Sequence, residues 1–247
     1  MRIKQVENAL NLLQYFADTG QPSTLTEIAN HFDWPRSSTF NLLGTLSFHG
    51  YLYEPHQRGQ FYPTPKLLNL GNKIADNAPL PAFFDPLMQH LHQETDETIW
   101  IAAKSGLNAV FLKVLESTQS IRYTTQVGTQ VPLFATATGQ AILSQLPQTL
   151  AQSILDKSVY TQYGTGTPTN QNEVWDSIHT SLKRGWFFSA SAFTPDLGGI
   201  AIPLLVDERV YAITTAGPWF RMGDRSQAIA SIMQQAISCY QPPLPCS

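Results

Sequence analysis

Residues 25–46 read LTEIANHFDWPRSSTFNLLGTL, and their pattern predicts two short helices joined by a tight turn. The first helix has apolar residues at helical spacing, and Thr26 and Glu27 stand where a cap and an acidic first turn belong. Pro35 pushes the residue before it out of the helical region, but it suits the start of a helix. We therefore expect the second helix to begin at Pro35.

The second helix has a polar amino-terminal part and leucines further along. Leu42, Leu43 and Leu46 form the face that we expect to be buried. The face that we expect to be exposed holds Arg36, Ser37, Ser38, Phe40 and Asn41. Two helices, a turn and a tip rich in hydrogen-bond donors are typical of a DNA-reading helix-turn-helix. The same residues also fit an ordinary helical hairpin in a protein core.

The composition of the whole chain suits two modest globular domains. It has 247 residues, of which 43% are hydrophobic and 13% are charged. No apolar run reaches membrane-spanning length and the amino terminus has no apolar signal core, so we expect a cytoplasmic protein without membrane contact. The only cysteines, Cys239 and Cys246, predict neither a disulfide framework nor a zinc site.

Charge gives little support to DNA binding by itself. The net charge is −3. Residues 1–76 contain as many acidic as basic side chains, namely Arg2, Lys4, Arg36, Arg58, Lys66 and Lys73 against Glu7, Asp18, Glu27, Asp33, Glu54 and Asp76. Because a strongly basic footprint is absent, a few well-placed cations and two copies of the chain would have to hold DNA.

The segments around the helix pair complete a first domain. A helix over residues 5–18 has one apolar stripe, made of Val6, Ala9, Leu10, Leu13, Phe16 and Ala17. After the helix pair, residues 51–53 and 60–62 are aromatic strands around a polar turn. This hairpin would be a wing, with Arg58 reaching phosphate or the minor groove. The alternative is a solvated turn whose arginine touches nothing.

The chain divides near a proline-rich break. Residues 66–76 predict a connecting helix, which the sequence NAPLP at 77–81 interrupts. We predict a winged helix-turn-helix domain over residues 1–65, a linker helix and hinge over 66–80, and a second domain over 81–247.

The second domain mixes helices with hairpin-linked strands. Helices are predicted over residues 83–94, 138–146, 172–184 and 225–240, with a further one opening at Pro147. Strands are predicted over residues 98–103, 109–115, 121–124, 186–188, 200–206 and 210–215. Because helices come in blocks beside hairpins, the fold class is α+β around a largely antiparallel sheet.

In its order of motifs the chain resembles the IclR family of bacterial transcription regulators. The resemblance covers nearly the whole chain, and its most specific part is the block VGTQVPLFATATGQAILSQL at residues 127–146. It also includes RGWFFSASAF at 184–193 and YAITTAGP at 211–218. The resemblance implies a winged helix-turn-helix, a linker helix and a GAF-like effector domain. It also implies homodimers, often paired into tetramers, that bind a double-stranded operator and a small-molecule effector.

The resemblance also implies two sets of site residues. The recognition-helix positions of the family fall on Arg36, Ser37, Ser38, Thr39, Phe40 and Asn41. With Thr26 and Arg58 they make up the expected DNA-binding set. The family often has arginine where this chain has Asn41, whose amide can still pair with an adenine edge. The effector pocket maps onto Ala137, Thr138, Ser189, Gly199, Thr214 and Ala216. Acidic residues common in the family around Ser189 are missing.

Read without the family, the same region still suggests a small cleft. Residues 135–139 are small and rich in hydroxyls, and they open a helix whose free N–H groups favour an anion. Arg122 is the nearest cation in sequence. The expected ligand is a small, largely apolar or aromatic carboxylic acid. The alternative is that Thr138 is only a helix cap and Thr214 an ordinary strand threonine.

Patterns typical of enzymes are missing from the sequence. The histidines are scattered, and His90 and His92 fall on different helix faces. Neither a nucleophile elbow nor a phosphate-binding loop occurs, since Gly164-Thr165-Gly166-Thr167 is followed by no Gly-Lys pair. Asp96-Glu97 looks like a solvated pair of carboxylates. We expect no catalytic residue, no metal and no cofactor. Besides an effector-responsive regulator, a DNA-binding protein whose second domain only oligomerises remains open, with a small-molecule-processing enzyme as a remote alternative.

Overall fold

A computed structural model describes residues 2–55, 59–77 and 80–240. The chain divides into two compact units, Met1–Pro79 and Leu80–Ser247. The predicted division at residues 65/66 and 80/81 stays a prediction. Among the helices that the structure describes, none is long and apolar enough to cross a membrane.

The first unit is a helical bundle with a small antiparallel sheet. Its elements are α1 Lys4–Thr19, β1 Ser23–Thr24, α2 Leu25–Phe32, α3 Arg36–Phe48, β2 Leu52–Tyr53, β3 Gln60–Pro63 and α4 Lys66–Asn77. The strands lie in the order β1-β3-β2, so β3 is central. The predicted hairpin is confirmed as β2 and β3, and β1 adds a strand that the sequence did not predict. His56, Gln57 and Arg58 of its tip lie outside the described residues.

The core of the first unit joins all three bundle helices to the hairpin. It consists of Leu12, Phe16, Ile28, Leu43 and Leu52. The apolar stripe predicted on α1 is buried only in part, because Val6 and Leu10 are 54% and 62% exposed. Leu12 takes the inward position instead, so the apolar stripe of α1 extends around to solvent.

The start of α2 differs from the prediction by two residues. Thr24, not Thr26, is the cap: its hydroxyl accepts a hydrogen bond from the N–H of Glu27, whose carboxylate accepts from the N–H of Thr24. These hydrogen bonds to Thr24 lower the pKa of Glu27. This reciprocal arrangement leaves Thr26 exposed on the first turn of α2.

The second unit is built on a six-stranded antiparallel sheet. Its elements are α5 Phe84–Thr95, β4 Thr98–Ser105, β5 Asn108–Leu115, β6 Gln130–Pro132, α6 Ala137–Leu143, α7 Gln148–Lys157, α8 Gln171–Arg184, β7 Phe187–Ala190, β8 Leu197–Val206, β9 Arg209–Pro218 and α9 Trp219–Tyr240. The strand order is β6-β5-β4-β9-β8-β7. The predicted α+β class with an antiparallel sheet is confirmed.

Helices cover both faces of this sheet. The side chains of its strands point alternately into two cores. Trp100, Ala102 and Ala212 face a core shared with α6, α7 and α8. Ile101 and Ile213 face the opposite core, shared with α5 and α9. The period-two alternation of β-strands therefore places every second residue of β4 and β9 on the side of α6.

The structure differs in several details from what the sequence predicted for the second unit. Residues 121–124 form no strand, and β6 was not predicted. The helix predicted at 225 begins at Trp219, six residues earlier. Helix α6 ends at Leu143, and its cap is Thr136, whose hydroxyl accepts from the N–H of Gly139. Because Thr136 takes the capping position, Thr138 lies inside the helix with its side chain free for another role.

Candidate functional site

The outward face of α3 is the candidate DNA interface. Arg36, Ser37, Ser38, Phe40 and Asn41 are all exposed, and the ring of Phe40 is 65% exposed. Arg36 makes no ion pair within the described part of the chain, so its guanidinium is available for an anion. The face combines a cation, hydroxyls, an amide and an apolar ring, which are the groups that contact phosphates and base edges.

Thr39 does not belong to this face, contrary to the expectation. Its side chain is fully buried, and its hydroxyl donates a 3.1 Å hydrogen bond to the carbonyl of Pro35. Because that bond satisfies the hydroxyl inside the helix, Thr39 packs α3 onto the core rather than facing DNA. Thr26 is exposed on α2, and Arg58 lies outside the described residues.

The turn between α2 and α3 fixes how the second helix is presented. Asp33 adopts the left-handed conformation, with φ of 53°, and ends α2. Trp34 then stacks on Phe32, with ring centroids 4.2 Å apart, and Pro35 precedes the first residue of α3. The predicted helix-turn-helix is confirmed, although α3 starts at Arg36 rather than at Pro35.

The second unit contains a cavity between the sheet and α6. Strand register brings the predicted pocket residues together, because Ser189 pairs with Gly199 and Gly199 pairs with Ala216 across β7, β8 and β9. The adjacent row pairs Trp100 with Thr214. All six residues expected at the effector pocket lie on the cavity wall, namely Ala137, Thr138, Ser189, Gly199, Thr214 and Ala216.

A buried chain of hydrogen bonds forms the polar centre of this wall. The indole N–H of Trp100 donates to the hydroxyl of Thr138 over 3.2 Å, and that hydroxyl lies 2.8 Å from the hydroxyl of Thr214. All three side chains are at most 5% exposed. Sequence reasoning missed Trp100, although its alternation with Ile99 and Ile101 could have placed it on this face. The wall is completed by Phe111, Tyr123, Val131, Thr136, Ala192, Phe193, Thr194 and Leu197.

The cavity is small and uncharged as it stands. Its volume of about 30 Å³ holds one or two water molecules. Among the described residues that line it, none has an ionisable carboxylate, ammonium or guanidinium group. Ligand pockets usually have volumes of roughly 300–1,000 Å³, so an organic ligand could bind here only after the wall moves.

The nearest cation in sequence and the start of α6 contribute little to anion binding at the cavity. Arg122 is exposed and outside the cavity, since its guanidinium donates to the carbonyl of Gln119 and lies 3.8 Å from Glu116. One of the free N–H groups at the start of α6 is also occupied, because the N–H of Gly139 donates to the hydroxyl of Thr136. Polarity at the cavity therefore comes from hydroxyls and an indole.

A second buried polar group lies near the end of β9. Glu97, expected to be solvated, is 1% exposed and forms a two-point ion pair with Arg221, with distances of 2.7 and 2.9 Å. These hydrogen bonds raise the pKa of Arg221. A Cβ atom on Gly217 would lie 2.2 Å from a carboxylate oxygen of Glu97, so only glycine leaves room for this pair. The pair fastens the start of α9 to the start of β4.

Both parts of the chain match models of known families. Residues 72–240 match the model of the bacterial transcriptional regulator IclR C-terminal domain, and residues 5–55 match the IclR helix-turn-helix domain. The chain belongs to the IclR family. Its described helix-turn-helix is therefore the DNA-binding domain of an IclR-family transcriptional regulator.

Relatives of this IclR-family chain are named as regulators and repressors. It is 28% identical to the HTH-type transcriptional regulator KipR of Bacillus subtilis, over 87% of this chain and 86% of that protein. It is 24% identical to the acetate operon repressor of Salmonella typhimurium, over 90% and 83% of the two chains. These relatives agree with the prediction that the protein is a regulator and not an enzyme.

Solved IclR-family structures share the fold. The IclR protein of Thermotoga maritima has a TM-score of 0.75 and 17% identity, covering 98% of this chain and 100% of that one. An IclR homologue of Microbacterium hydrocarbonoxydans, solved with 4-hydroxybenzoate, has a TM-score of 0.66 and 16% identity, covering 95% and 99% of the two chains. At these identities the likeness concerns the fold.

Proposed function

We propose that this IclR-family regulator binds a pseudo-palindromic operator as a homodimer and that a small carboxylic acid in the cavity changes its affinity for DNA. The observation that carries the first part is the exposed face of α3, where Arg36 has no ion pair among the described residues. The exposed amide of Asn41 supports base reading, and the ring of Phe40 suits the methyl group of thymine.

The roles of Arg36 and Asn41 can be separated by their salt dependence. We expect Arg36→Ala to weaken binding to every DNA sequence, because a phosphate contact releases counterions. The slope of log affinity against log salt should fall by about 0.9 per lost contact. Asn41→Ala should leave that slope alone and relax preference at one base pair, by about 1–3 kcal/mol. Fluorescence anisotropy with labelled operator variants measures both quantities.

Arg209→Ala is the matched control, because it removes the same charge from the exposed first residue of β9 in the other unit. Its affinity and slope should equal those of the wild type. Wild-type values for both Arg36→Ala and Asn41→Ala would mean that α3 is not the DNA-reading helix. Arg58→Ala is expected to act like Arg36→Ala if the wing reaches phosphate.

Two exposed apolar stripes support the homodimer. On α1 the stripe contains Ile3, Val6 and Leu10, which are 54–62% exposed. On α4 it contains Leu70 and Ile74, which are four residues apart and 44% and 61% exposed. Apolar side chains at helical spacing on a solvent face are typical of a surface that another chain covers. We propose that a second copy covers them, so that two α3 helices read two half-sites.

The chemistry of the cavity supports a small aromatic or largely apolar carboxylic acid. The Trp100 indole, stacked 4.7 Å from Phe111, gives a flat apolar wall. The hydroxyls of Thr138, Ser189 and Thr214 can donate to a carboxylate or a phenol. Since no carboxylate lines the described wall, nothing there repels an anion. The 4-hydroxybenzoate in the Microbacterium homologue is a ligand of the same chemical class.

A thermal-shift screen of aromatic and aliphatic carboxylic acids on the full chain tests this proposal. A ligand at a hundred times its Kd should add about 2.7 kcal/mol of stability. Ala137→Leu places three more carbons on the cavity wall, so we expect it to remove the shift and the response of DNA binding to the acid. Its DNA affinity without ligand should be unchanged, because the first unit carries α3. Calorimetry giving an unaltered ligand Kd in this variant would place the site elsewhere.

The small size of the cavity favours one alternative, a regulator whose second domain only oligomerises. That protein would show no stabilisation by any acid in the screen, and Ala137→Leu would change nothing but stability. A ligand can alter DNA affinity only if it prefers one of two conformations, so the decisive measurement is operator affinity with and without a stabilising acid.

A further inference from the structure

One segment forms the roof of the cavity. The loop between β7 and β8, residues 191–196, places Ala192, Phe193 and Thr194 on the cavity wall. The remaining wall comes mostly from strands held by ladder hydrogen bonds and from α6. Ser191 adopts the left-handed conformation, with φ of 48°, which is strained for a residue with a side chain. The roof is therefore the part of the wall best able to move.

A second segment, residues 163–167, packs against this roof, and we call it the strap. Gly164 and Gly166 lie directly on the roof backbone: a Cβ atom on Gly164 would be 2.0 Å from the carbonyl oxygen of Ser191. A Cβ atom on Gly166 would be 2.0 Å from that of Ala190. Only glycine permits this approach, so the glycine-rich stretch has a physical reason here.

Polar and aromatic contacts fasten the strap to the roof. The N–H of Gly166 donates to the carbonyl of Ser191 over 3.2 Å. The Thr167 hydroxyl donates to the carbonyl of Ala192, and it accepts from the N–H groups of Tyr163 and Gly164 at 3.0 and 2.8 Å. Thr167 is 5% exposed, so these bonds are shielded from water. The ring of Tyr163 also lies 4.8 Å from the ring of Phe193, which faces the cavity.

We infer that the strap is a latch that holds the roof closed and that ligand entry requires its release. This inference rests on the proposed ligand function, because the closed cavity admits only water. Raising the roof separates the carbonyls of Ser191 and Ala192 from their partners on the strap. The apparent Kd therefore equals the intrinsic Kd divided by the fraction of molecules in which the strap is released.

Hydrogen exchange of the full chain without ligand tests the latch directly. Thr167→Val keeps the shape of the side chain and removes its hydroxyl. We expect amides in residues 191–197, whose turn bonds include Ser191 N–H to Leu197 O, to exchange about tenfold faster, a factor equal to about 1.4 kcal/mol. Thr165→Val, at an exposed position of the strap, is the control and should leave exchange unchanged. Unchanged exchange in Thr167→Val would overturn the inference.

Gly166→Ala should release the strap from the roof in a second, independent way, because the added methyl group cannot fit against the carbonyl of Ala190. We expect faster exchange in residues 191–197 here too, with the exchange of β4 and β9 unaltered. Loss of protection throughout the second unit would show that the strap is part of the global core, which would contradict a local latch.

A ligand-binding measurement distinguishes failure of the latch from failure of the proposed ligand function. With 4-hydroxybenzoate as the probe, calorimetry on Thr167→Val should give a Kd several-fold lower than the wild-type value. Faster exchange with an unchanged Kd would refute the gating role. If neither protein binds this probe or any acid of the screen, the proposed ligand function fails and the gate with it, although the exchange result still measures how the strap holds the roof.

Discussion

Replacing Arg221 by alanine is expected to lower the free energy of unfolding of the second unit by about 3 kcal/mol. The substitution leaves the carboxylate of Glu97, which is 1% exposed, without its cation. Removing one partner of a buried pair typically costs about 3–5 kcal/mol, and the partial exposure of Arg221 argues for the lower end. For a domain of this size the melting temperature should fall by roughly 6–12 °C. Calorimetry of the full chain would show the shift in the transition of the second unit.

Arg122→Ala is the matched control for this effect. Arg122 is an exposed arginine whose distance to Glu116 is 3.8 Å, so its loss should change stability by less than about 1 kcal/mol. The double change Glu97→Leu with Arg221→Met should recover much of the lost stability, because no buried charge then remains without a partner. An Arg221→Ala protein as stable as Arg122→Ala would contradict the importance of the pair.

Placing a carboxylate on the α1 stripe is expected to abolish high-affinity operator binding. Leu10 is 62% exposed, so Leu10→Glu should not disturb the fold of one chain. If a second copy covers this position, the glutamate would be buried without a partner at the interface and the dimer would dissociate. A dimer that contacts two half-sites binds about 10²–10⁴ times more tightly than a single subunit on one half-site. Leu10→Glu should lose this factor.

Light scattering and operator anisotropy at matched concentrations measure the two effects of Leu10→Glu together. Ile74→Glu tests the α4 stripe in the same way. Val159→Glu, at an exposed apolar position between α7 and α8, is the control and should remain a dimer with wild-type DNA affinity. A Leu10→Glu protein that stays dimeric would remove α1 from the interface, and a monomeric wild type with full affinity would remove the dimer proposal.

The sequence predicted those features that depend on local patterns. Helical periodicity and Pro35 were enough to predict the helix-turn-helix. The alternation of apolar and polar residues was enough to predict most strands of the sheet. One error was avoidable, because Thr24 and Glu27 already have the spacing of a capping box, which marks Thr24 rather than Thr26 as the cap. The burial of Thr39 was harder to predict, because a threonine whose hydroxyl bonds to its own helix can take the place of an apolar residue in a core.

Features formed between distant parts of the chain could not be read from spacing. Glu97 looked like a solvated carboxylate, and nothing in its spacing relates it to Arg221; the pairing of β4 with β9 brings their elements together. The strap had the same difficulty: its glycines suggested a phosphate loop by composition, whereas their role depends on the roof backbone beside them. The resemblance supplied the six pocket positions, but not Trp100 or the closed state of the cavity.

The order of strands has a consequence for how this protein is made. The central strands β4 and β9 pair directly, yet the whole stretch between Ser105 and Arg209 must be synthesised between them. Pairing of such distant segments is slow, because loop closure precedes any gain from contact. On the ribosome, the helix-turn-helix can fold early, whereas the sheet of the second unit has to wait for β9. Nascent chains should therefore expose β4, with its apolar residues Ile99 and Ile101, to chaperones until β9 has been synthesised.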